Sequence, residues 1–175
     1  AYLRFERHDG TMSEVVRRLN FERGDSAAAL LVDPQKQIVY LIEQFKYPTL
    51  DKAGGWTDEI VAGMIDAGET PEQAIRREIL EEAGFAVEAV EPIAHFFVSP
   101  GGSSERIFLF CAIVSEAVRR SAGGGVATED IKVVGWTLDD FLARLQGGGL
   151  MDAKTIIAGY WLKDNLARIM RGRAG

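Results

Sequence analysis

One stretch, from Gly63 to Phe85, constrains the chain more than any other part of the sequence. It reads GMIDAGETPEQAIRREILEEAGF. Thr70 is a favourable N-cap, the proline after it fits the first helical position, and Gln73 completes a capping box. Gly84 supplies a left-handed C-terminal stop. The stretch therefore predicts a loop that leads into a helix over residues 71–83.

Three acidic residues of this helix lie close to its apolar side. At about 100° per residue, Glu78, Glu81 and Glu82 fall within one arc of roughly 100°. They border an apolar i, i+4, i+8 row that begins at Ile75. Carboxylates at this spacing repel one another, and a divalent cation such as Mg²⁺ would relieve the repulsion. The alternative is a solvated helix with an i, i+4 pair between Arg77 and Glu81, and the acids alone do not separate the two interpretations.

The wider spacing of the stretch does separate them. Glu69 follows Gly63 after five intervening residues, and the run REILEEAGF begins at Arg77, after seven more intervening residues. This combination of glycine, acid, arginine and apolar positions matches the Nudix box at every specified position. The chain therefore resembles a Nudix hydrolase. The resemblance implies attack of water on a nucleoside diphosphate linked to another group.

Size and charge fit a globular enzyme of one compact domain. The chain has 175 residues, 47% of them apolar, and a net charge of −6. No basic run suggests a nucleic-acid footprint. An acidic protein that acts on an anionic phosphate substrate needs metal ions at the site to offset the repulsion.

The histidines and the cysteine exclude several other site classes. The only cysteine, Cys111, lies in an apolar strand-like run, so a disulfide within the chain is excluded. The only histidines, His8 and His95, argue against a zinc cluster or a histidine-based triad. Neither an apolar run of about 18 residues nor a signal peptide is visible, and a cytoplasmic location is the default expectation.

The N-terminal residues predict a separate two-stranded ribbon. Residues 2–8 and 13–21 alternate polar and apolar side chains around Asp9-Gly10, which is a hairpin turn signal. Such a ribbon is marginal alone and needs a partner surface. Resemblance to those Nudix hydrolases that act as nucleotide-sugar pyrophosphatases, supported by the sequence pieces given below, implies a homodimer that exchanges an N-terminal segment of this kind. We therefore expect residues 1–22 to form a ribbon exchanged in a homodimer and residues 23–175 to form the Nudix hydrolase domain.

The rest of the chain predicts an α/β protein. Strands interleaved with helices in one compact unit suggest an α/β/α sandwich with a mixed sheet, which is also the Nudix fold. Thr137 and Asp140 form a capping box for a helix to Gln146, and Asp152 caps a final helix over about 153–171. In that helix the row Ile156, Tyr160 and Leu162–Leu166 is expected to pack on the core. The other predicted elements are strands at 27–32, 38–45, 58–62, 91–98, 106–114 and 131–136, and a loop at 48–56.

Several pieces outside the box resemble the ADP-ribose and nucleotide-sugar pyrophosphatases. They lie at 41–48, 59–63, 99–106 and 129–131, and the triple glycine at 123–125 and the run 152–155 look most like the GDP-mannose hydrolases. The resemblance implies a Mg²⁺-dependent nucleotide-sugar pyrophosphatase, with Mn²⁺ as a possible substitute, that yields a nucleoside monophosphate and a sugar phosphate. Two alternatives are a non-catalytic nucleotide-sugar binding protein on the same scaffold and a nucleoside triphosphate pyrophosphohydrolase.

The resemblance assigns roles to individual residues. Glu78 and Glu82 would ligate Mg²⁺, with Glu81 as a further ligand or its support and the carbonyl of Ala62 as a backbone ligand. Arg77 would orient the glutamates through charge-assisted hydrogen bonds, and Glu69 would tie the loop to the helix. The expected substrate-binding residues are Lys46, Glu59, Gly102, Ser104 and Glu105. The last three belong to the Gly/Ser turn at 99–105, which either cradles a phosphate or sugar or is only a turn.

The chain departs from the relatives at two positions, and the second departure leaves the identity of the catalytic base open. Lys46 stands where they carry an arginine, and Ala127 stands where many of them carry the catalytic glutamate. The loop at 121–130 is either a mobile connection or a lid that brings an acid to the metals. Successive strand residues point to opposite faces, so only one of Glu129 and Asp130 can face the helix acids, and alignment favours Glu129. The alternative base is Glu81 or a metal-held hydroxide.

Overall fold

The computed structural model describes residues 1–126 and 129–171. The strands are β1 (Tyr2–Leu3), β2 (Val16–Arg17), β3 (Ser26–Asp33), β4 (Ile38–Phe45), β5 (Trp56–Glu59), β6 (Val61–Met64), β7 (Glu91–Phe97), β8 (Arg106–Ile113) and β9 (Ile131–Thr137). The helices are α1 (Leu50–Ala53), α2 (Pro71–Glu78), α3 (Leu138–Gln146) and α4 (Ala153–Met170). Helix α2 continues through a π-helical turn over Ile79–Ala83, so together the two segments match the predicted helix.

Within the described residues, seven strands form one mixed sheet. Its main order is β5-β4-β3-β8-β7, with β6 also beside β3 and β9 beside β4. Strands β3 and β8 are parallel, and the other pairs of this sheet are antiparallel. The predicted α/β fold with a mixed sheet is therefore confirmed.

The central strand β3 shows why the fold has three layers. Every residue of β3 is buried, as its continuous apolar run requires when both faces of a sheet are covered. Ala28 and Leu30 belong to the core on the side of α3 and α4, whereas Ala29 and Leu31 belong to the core on the side of α2. Because side chains alternate along a strand, one apolar strand serves both layers.

The chain between Trp56 and Met64 is bent and changes neighbours at Ile60. Residues 56–59 pair with β4, whereas residues 61–64 pair with the first half of β3. Strands β3 and β4 pair directly only between 31–33 and 38–40, so the sheet splits beyond that point. The prediction of a single strand over 58–62 is therefore wrong. An apolar run does not reveal which neighbour a strand pairs with, and here the neighbour changes inside the run.

Three smaller predictions also need correction. The loop at 48–56 contains helical turns, since a 3₁₀ turn at Tyr47–Thr49 leads into α1. The ribbon pairs only at 2–3 with 16–17 and at a bridge between Glu6 and Met12, so its strands are shorter than predicted. Tyr160 of α4 is exposed. The rest of the predicted row does pack on the core, since Leu162 is buried and Ile156 and Leu166 lie against the core.

The N-terminal segment exposes much of its apolar surface. Its turn forms as predicted, with the Asp9 carboxylate accepting from the Thr11 backbone N–H at 2.9 Å. Large side chains at Tyr2, Leu19 and Phe21 are at least two-thirds exposed. No helix in the part of the chain that the structure describes is long and apolar enough to cross a membrane. Cys111 is buried in β8 as predicted, and this burial raises the pKa of its thiol to about 12.

Candidate active site

Helix α2 begins and ends as its sequence predicts, and this fixes where its acids lie. The hydroxyl of Thr70 accepts from the Gln73 N–H at 3.2 Å, and the Gln73 side chain accepts from the Thr70 N–H at 2.8 Å. Gly84 ends the helix at φ 77°, a left-handed conformation that glycine adopts at low cost. Ile75 and Ile79 are fully buried, so the acids beside them border the core.

Glu82 is the most deeply buried of these acids. Only 3% of the residue is exposed, and its Oε2 accepts from the Ala62 backbone N–H at 3.2 Å. The pKa of this carboxyl is raised to about 8, mainly by burial and also by the charge of the nearby Glu78, while the hydrogen bond from Ala62 and the charge of Lys46 oppose the rise. A buried carboxylate in this state favours a proton or a cation at its side.

Strand β6 brings backbone groups against the same acids. Ala62 lies opposite Ala28 in the ladder, but its N–H donates to Glu82 instead of to β3. In an antiparallel pair without mutual hydrogen bonds, the N–H and C=O of a residue both point away from the partner. The Ala62 carbonyl therefore points to the side on which Glu82 lies. At Gly63, an added Cβ would stand 2.0 Å from Glu78 Oε1, so only glycine allows this approach.

Arg77 connects the loop before α2 with two of the acids. Its Nε and Nη2 donate to the two carboxylate oxygens of Glu69, each at 3.0 Å, and Nη2 also donates to the Met64 carbonyl at 3.1 Å. Its Nη1 donates to Glu78 at 2.6 Å and to Glu81 at 3.3 Å. The hydrogen bond with Glu69 is the main cause that raises the pKa of Arg77. Through these bonds Arg77 orients the carboxylates of Glu78 and Glu81.

The donor chemistry of the acids suits Mg²⁺, although their arrangement is not that of a formed metal site. Across residues 1–126 and 129–171, no three acidic, histidine or cysteine side chains come together as metal ligands. Arg77 holds Glu78 and Glu81, whereas Glu82 is bonded to Ala62. Carboxylate and carbonyl oxygens are nevertheless the hard ligands that Mg²⁺ prefers, and burial of Glu82 leaves charge to be neutralised.

Two of the acids, Glu78 and Glu82, form part of the wall of one large cleft of about 980 Å³, whereas Glu81 lies outside the lining formed by the described residues. The cleft runs along the bent strand of β5 and β6 and reaches the start of α4. The predicted site residues that line it are Lys46, Glu59, Ala62, Arg77, Glu78, Glu82, Glu105 and Glu129. The structure therefore brings most of the predicted residues to one cavity.

A second ionic cluster lies in the cleft, and sequence reasoning found only half of it. Glu59 is buried; its Oε1 lies 2.8 Å from Lys46 Nζ, and its other oxygen pairs with Lys154. Lys154 also donates to Asp152 at 2.9 Å. Burial by itself lowers the pKa of Lys154. The nearby carboxylates of Glu59 and Asp152 have the larger effect, so the pKa of the lysine is raised. The available signal was a lysine on the core-facing side of α4, one turn before the buried Ala158.

The Gly/Ser turn at 99–105 contacts the N-terminal segment more than the cleft. The Gly102 carbonyl accepts from the Phe21 N–H at 2.8 Å, and the Ser104 hydroxyl donates to Glu22. Gly102 and Ser104 lie outside the cleft lining formed by the described residues. Glu105 does line the cleft, and its Oε1 accepts from the Ser26 hydroxyl at 2.9 Å. The structure therefore brings only the last residue of this turn to the predicted site.

The triple glycine packs on the C-terminal end of the acid helix. The N–H groups of Gly124 and Gly125 donate to the carbonyl oxygens of Glu82 and Glu81, at 3.0 Å and 3.1 Å. A Cβ on Gly123 would stand 2.2 Å from the Glu82 carbonyl oxygen, so this close approach requires glycine. The described part of the loop is thus attached to the backbone of the acids.

Glu129 reaches the cleft from this loop. Its carboxylate accepts from the Val126 N–H at 2.8 Å. Burial is the first cause that raises the pKa of Glu78, Arg77 opposes it, and the charge of Glu129 adds to the rise. Glu129 is therefore within electrostatic range of the acids. Ala127, the position where many relatives carry a glutamate, lies outside the described residues.

Comparison with known proteins agrees with the family that the sequence motif indicated. The NUDIX domain model matches residues 22–147. The ADP-ribose pyrophosphatase of Escherichia coli K12 is 44% identical over 128 residues, which cover 71% of this chain and 61% of that protein. The GDP-mannose pyrophosphatases of Pectobacterium atrosepticum and Cronobacter sakazakii are 37% and 40% identical, over 80% and 79% of this chain and 72% and 73% of those proteins. This chain thus spans less than two thirds of the ADP-ribose pyrophosphatase.

Proposed function

The chain belongs to the Nudix family, and from that premise we propose that it hydrolyses the pyrophosphate bond of a nucleotide sugar with Mg²⁺. The products would be a nucleoside monophosphate and a sugar phosphate. One observation carries the proposal: the buried Glu82 and the Arg77-held Glu78 stand in the wall of the same cleft as the cation Lys46. A cleft with acids for a metal and a lysine for phosphate suits an anionic diphosphate substrate.

We assign the metal to the acids of the helix and to one carbonyl. Glu78 and Glu82 would be the main ligands, with Glu81 as a further ligand or support and the Ala62 carbonyl as a backbone ligand. Bound Mg²⁺ would offset the charge of the diphosphate and lower the pKa of a coordinated water. Arg77 would keep Glu78 and Glu81 oriented when their carboxylates exchange a hydrogen bond for the metal.

We assign the proton and substrate contacts to other parts of the cleft. Glu129 would accept the proton of the attacking water, because it is a cleft acid close to the helix but outside its ion pairs. Lys46 would bind a phosphate as a point charge, since a lysine lacks the bidentate fork of arginine. Glu59 would hold Lys46 in place through their ion pair at 2.8 Å.

The substrate class is taken from the relatives and from the cleft together. The relatives are named for ADP-ribose and for GDP-mannose, and we propose one of these or a similar nucleotide sugar. The test is product formation from a panel of nucleotide sugars, dinucleotides and deoxynucleoside triphosphates, first with Mg²⁺ and then with Mn²⁺. Preferred turnover of a nucleotide sugar is the expected result. Preference for a triphosphate would move the protein to the clean-up class, and binding without turnover would indicate a non-catalytic binding protein.

We also propose that residues 1–22 mediate a homodimer and that the hydrolase domain begins after them. The large exposed side chains of this segment, Tyr2, Phe5, Leu19 and Phe21, form more apolar surface than an isolated ribbon normally leaves in water. Light scattering at micromolar concentration should give twice the monomer mass. A monomer mass for the intact chain would contradict the dimer and any pocket built across it.

A further inference from the structure

The point where the cleft strand changes neighbours is held by a single side chain of α4. Between β5 and β6, the N–H of Ile60 donates to the Thr155 hydroxyl oxygen at 2.9 Å in a fully buried contact. Ile60 belongs to neither ladder, because β5 ends at Glu59 and β6 begins at Val61. A buried N–H without a partner is costly, so Thr155 supplies what the sheet does not.

The orientation of this hydroxyl is itself fixed. Thr155 is fully buried, and its hydroxyl donates to Asp152 Oδ2 at 2.5 Å, while its backbone N–H donates to the same oxygen at 3.0 Å. A hydroxyl has one hydrogen, and here Asp152 receives it, so a lone pair remains for Ile60. The helix cap of α4 thus determines the direction of the bond to the strand.

The neighbouring residue of α4 holds the neighbouring residue of the strand. Lys154 pairs with the carboxylate of Glu59 and with Asp152. Two successive residues of α4 therefore contact two successive residues of the cleft strand. Lys154 contacts the side chain of Glu59, and Thr155 contacts the backbone of Ile60. Both contacts lie at the junction of β5 and β6.

The fixed point is close to the acids along the same strand. Ala62, whose N–H donates to Glu82, lies two residues after Ile60, roughly 7 Å away at the usual rise of a strand. Gly63, which packs on Glu78, is the next residue. A shift of the strand at Ile60 therefore moves the backbone groups that contact both acids.

We propose that Thr155 is a positioning residue that acts through Ile60 to set the Ala62 carbonyl and N–H against the metal-binding acids. This inference rests on the proposed function, since it concerns the same metal site. It assigns to the hydroxyl a role beyond filling space. Thr155 itself contacts none of the acids Glu78, Glu81 and Glu82 through a hydrogen bond in the described structure.

The test compares Thr155→Val with Thr155→Ser in the 175-residue chain. Valine keeps the shape but removes the hydroxyl, whereas serine keeps the hydroxyl. We expect Thr155→Val to weaken Mn²⁺ binding, measured by electron paramagnetic resonance, and to lower kcat, each by about 10- to 100-fold, as for other residues that orient metal ligands. KM for the nucleotide sugar should change little, and Thr155→Ser should recover most of both losses.

A matched control separates positioning from stability. Thr137 caps α3 with its hydroxyl, which accepts from the Asp140 N–H at 3.1 Å, and it is outside the cleft lining. Thr137→Val should lower the melting temperature without altering Mn²⁺ affinity or kcat. If Thr155→Val fails to fold, Thr155→Ala, which avoids steric overpacking, replaces it in the same comparison with Thr155→Ser.

Each outcome decides the inference. Wild-type Mn²⁺ affinity in the folded variant that lacks the hydroxyl would overturn it, as would a serine variant that is as defective as the valine variant. Failure of wild-type protein to hydrolyse any nucleotide sugar would refute the proposed function alone, because the Mn²⁺ measurement judges the positioning role without turnover.

Discussion

Two ionic clusters lie along the bent strand of the cleft. One pairs its buried charges with opposite charges, whereas the other leaves buried acids only partly compensated. We define the acid cluster as Glu78, Glu81 and Glu82, and the paired cluster as Lys46, Glu59, Asp152 and Lys154. In the paired cluster, each buried carboxylate oxygen of Glu59 faces an ammonium group. In the acid cluster, Arg77 reaches only two of the three acids, and the most buried one, Glu82, is bonded to a backbone N–H.

This difference has a physical consequence for stability and for function. The paired cluster compensates its own charge, so removal of one member leaves an uncompensated buried ion. The acid cluster retains a net negative charge. Repulsion among its acids therefore lowers the stability of the fold when no cation is bound, and a bound cation raises it. We infer that the paired cluster stabilises the fold, whereas the acid cluster binds the metal and lowers the stability of the metal-free protein.

The largest expected effect is on stability and comes from the paired cluster. Lys154→Met removes the ammonium that Glu59 and Asp152 share. We predict a loss of about 3–5 kcal/mol in the free energy of unfolding, measured by urea denaturation, because the Oε2 atom of the buried Glu59 loses its ammonium partner and only Oε1 keeps one, Lys46. The control Lys132→Met removes an exposed partner of Glu43 and should cost no more than about 1 kcal/mol. Equal stability of the two variants would contradict the comparison.

The next effect is on turnover and comes from the acid cluster. Glu82→Gln removes a charge with little change in volume. We predict that Mg²⁺-supported turnover falls at least about 10²-fold, the loss expected when one main electrostatic group is removed. Glu72→Gln, which changes an exposed acid of the same helix, is the control and should retain turnover. Near-normal turnover of the Glu82 variant would remove this residue from the site.

The same variant should not lose stability in the presence of a chelator. The folded pKa of Glu82 is about 8, above the ordinary value of 4.5, so folded protein binds more protons than unfolded protein between these values. Unfolding free energy therefore falls as pH rises through this window, by up to about 1.4 kcal/mol per pH unit, and glutamine escapes the fall. The melting temperature of Glu82→Gln should match or exceed that of wild type, with a gap that widens from pH 5 to pH 8. A gap that narrows would show that Glu82 is stabilised as an ion.

Another prediction concerns the proton acceptor at the edge of the acid cluster. Glu129→Gln should lower kcat by about 10²-fold or more, the usual contribution of a general base, with little change in KM. Asp130→Asn is the control, because among the described residues Glu129 lines the cleft and Asp130 does not. Ala127→Glu should raise kcat if the missing acid limits the enzyme. If Glu129→Gln has no effect and Ala127→Glu changes nothing, the chemistry lies on the helix alone.

The smallest effect should come from an exchange of cations in the paired cluster. Lys46 is partly exposed and contacts Glu59 through one ammonium group. Lys46→Arg would offer a bidentate fork to phosphate, so we predict a KM that falls by less than about tenfold, at unchanged kcat. Steady-state kinetics on the preferred nucleotide sugar measure it. A rise in KM would show that the compact ammonium is required in this pocket.

Local rules of the sequence predicted much of the acid cluster. The capping box at Thr70, the left-handed Gly84 and the apolar row of α2 follow from contacts within a few residues, so the sequence contains them directly. The motif included Gly63 without a reason for it, and the contact with Glu78 in the structure explains why glycine is required.

The paired cluster depends on contacts that local rules do not contain. Lys154 and Glu59 are 95 residues apart and meet only because α4 begins beside the split in the sheet. The change of neighbour at Ile60 depends on where β3 and β4 diverge, and the apolar run 58–62 reads as one strand. Gly102 and Ser104 were predicted at the site from the family resemblance, whereas their partners are set by the position of the N-terminal segment.

The most direct test of the central claim is Mg²⁺-dependent hydrolysis by the acid cluster. Wild-type protein and Glu82→Gln are incubated with ADP-ribose or GDP-mannose at increasing Mg²⁺, and the phosphorus-containing products are identified by ³¹P NMR. The account predicts nucleoside monophosphate and sugar phosphate from wild type only when Mg²⁺ is present, and at least about 10²-fold less from the variant at saturating Mg²⁺. Equal hydrolysis by both proteins, or wild-type hydrolysis that persists in a chelator, would contradict it.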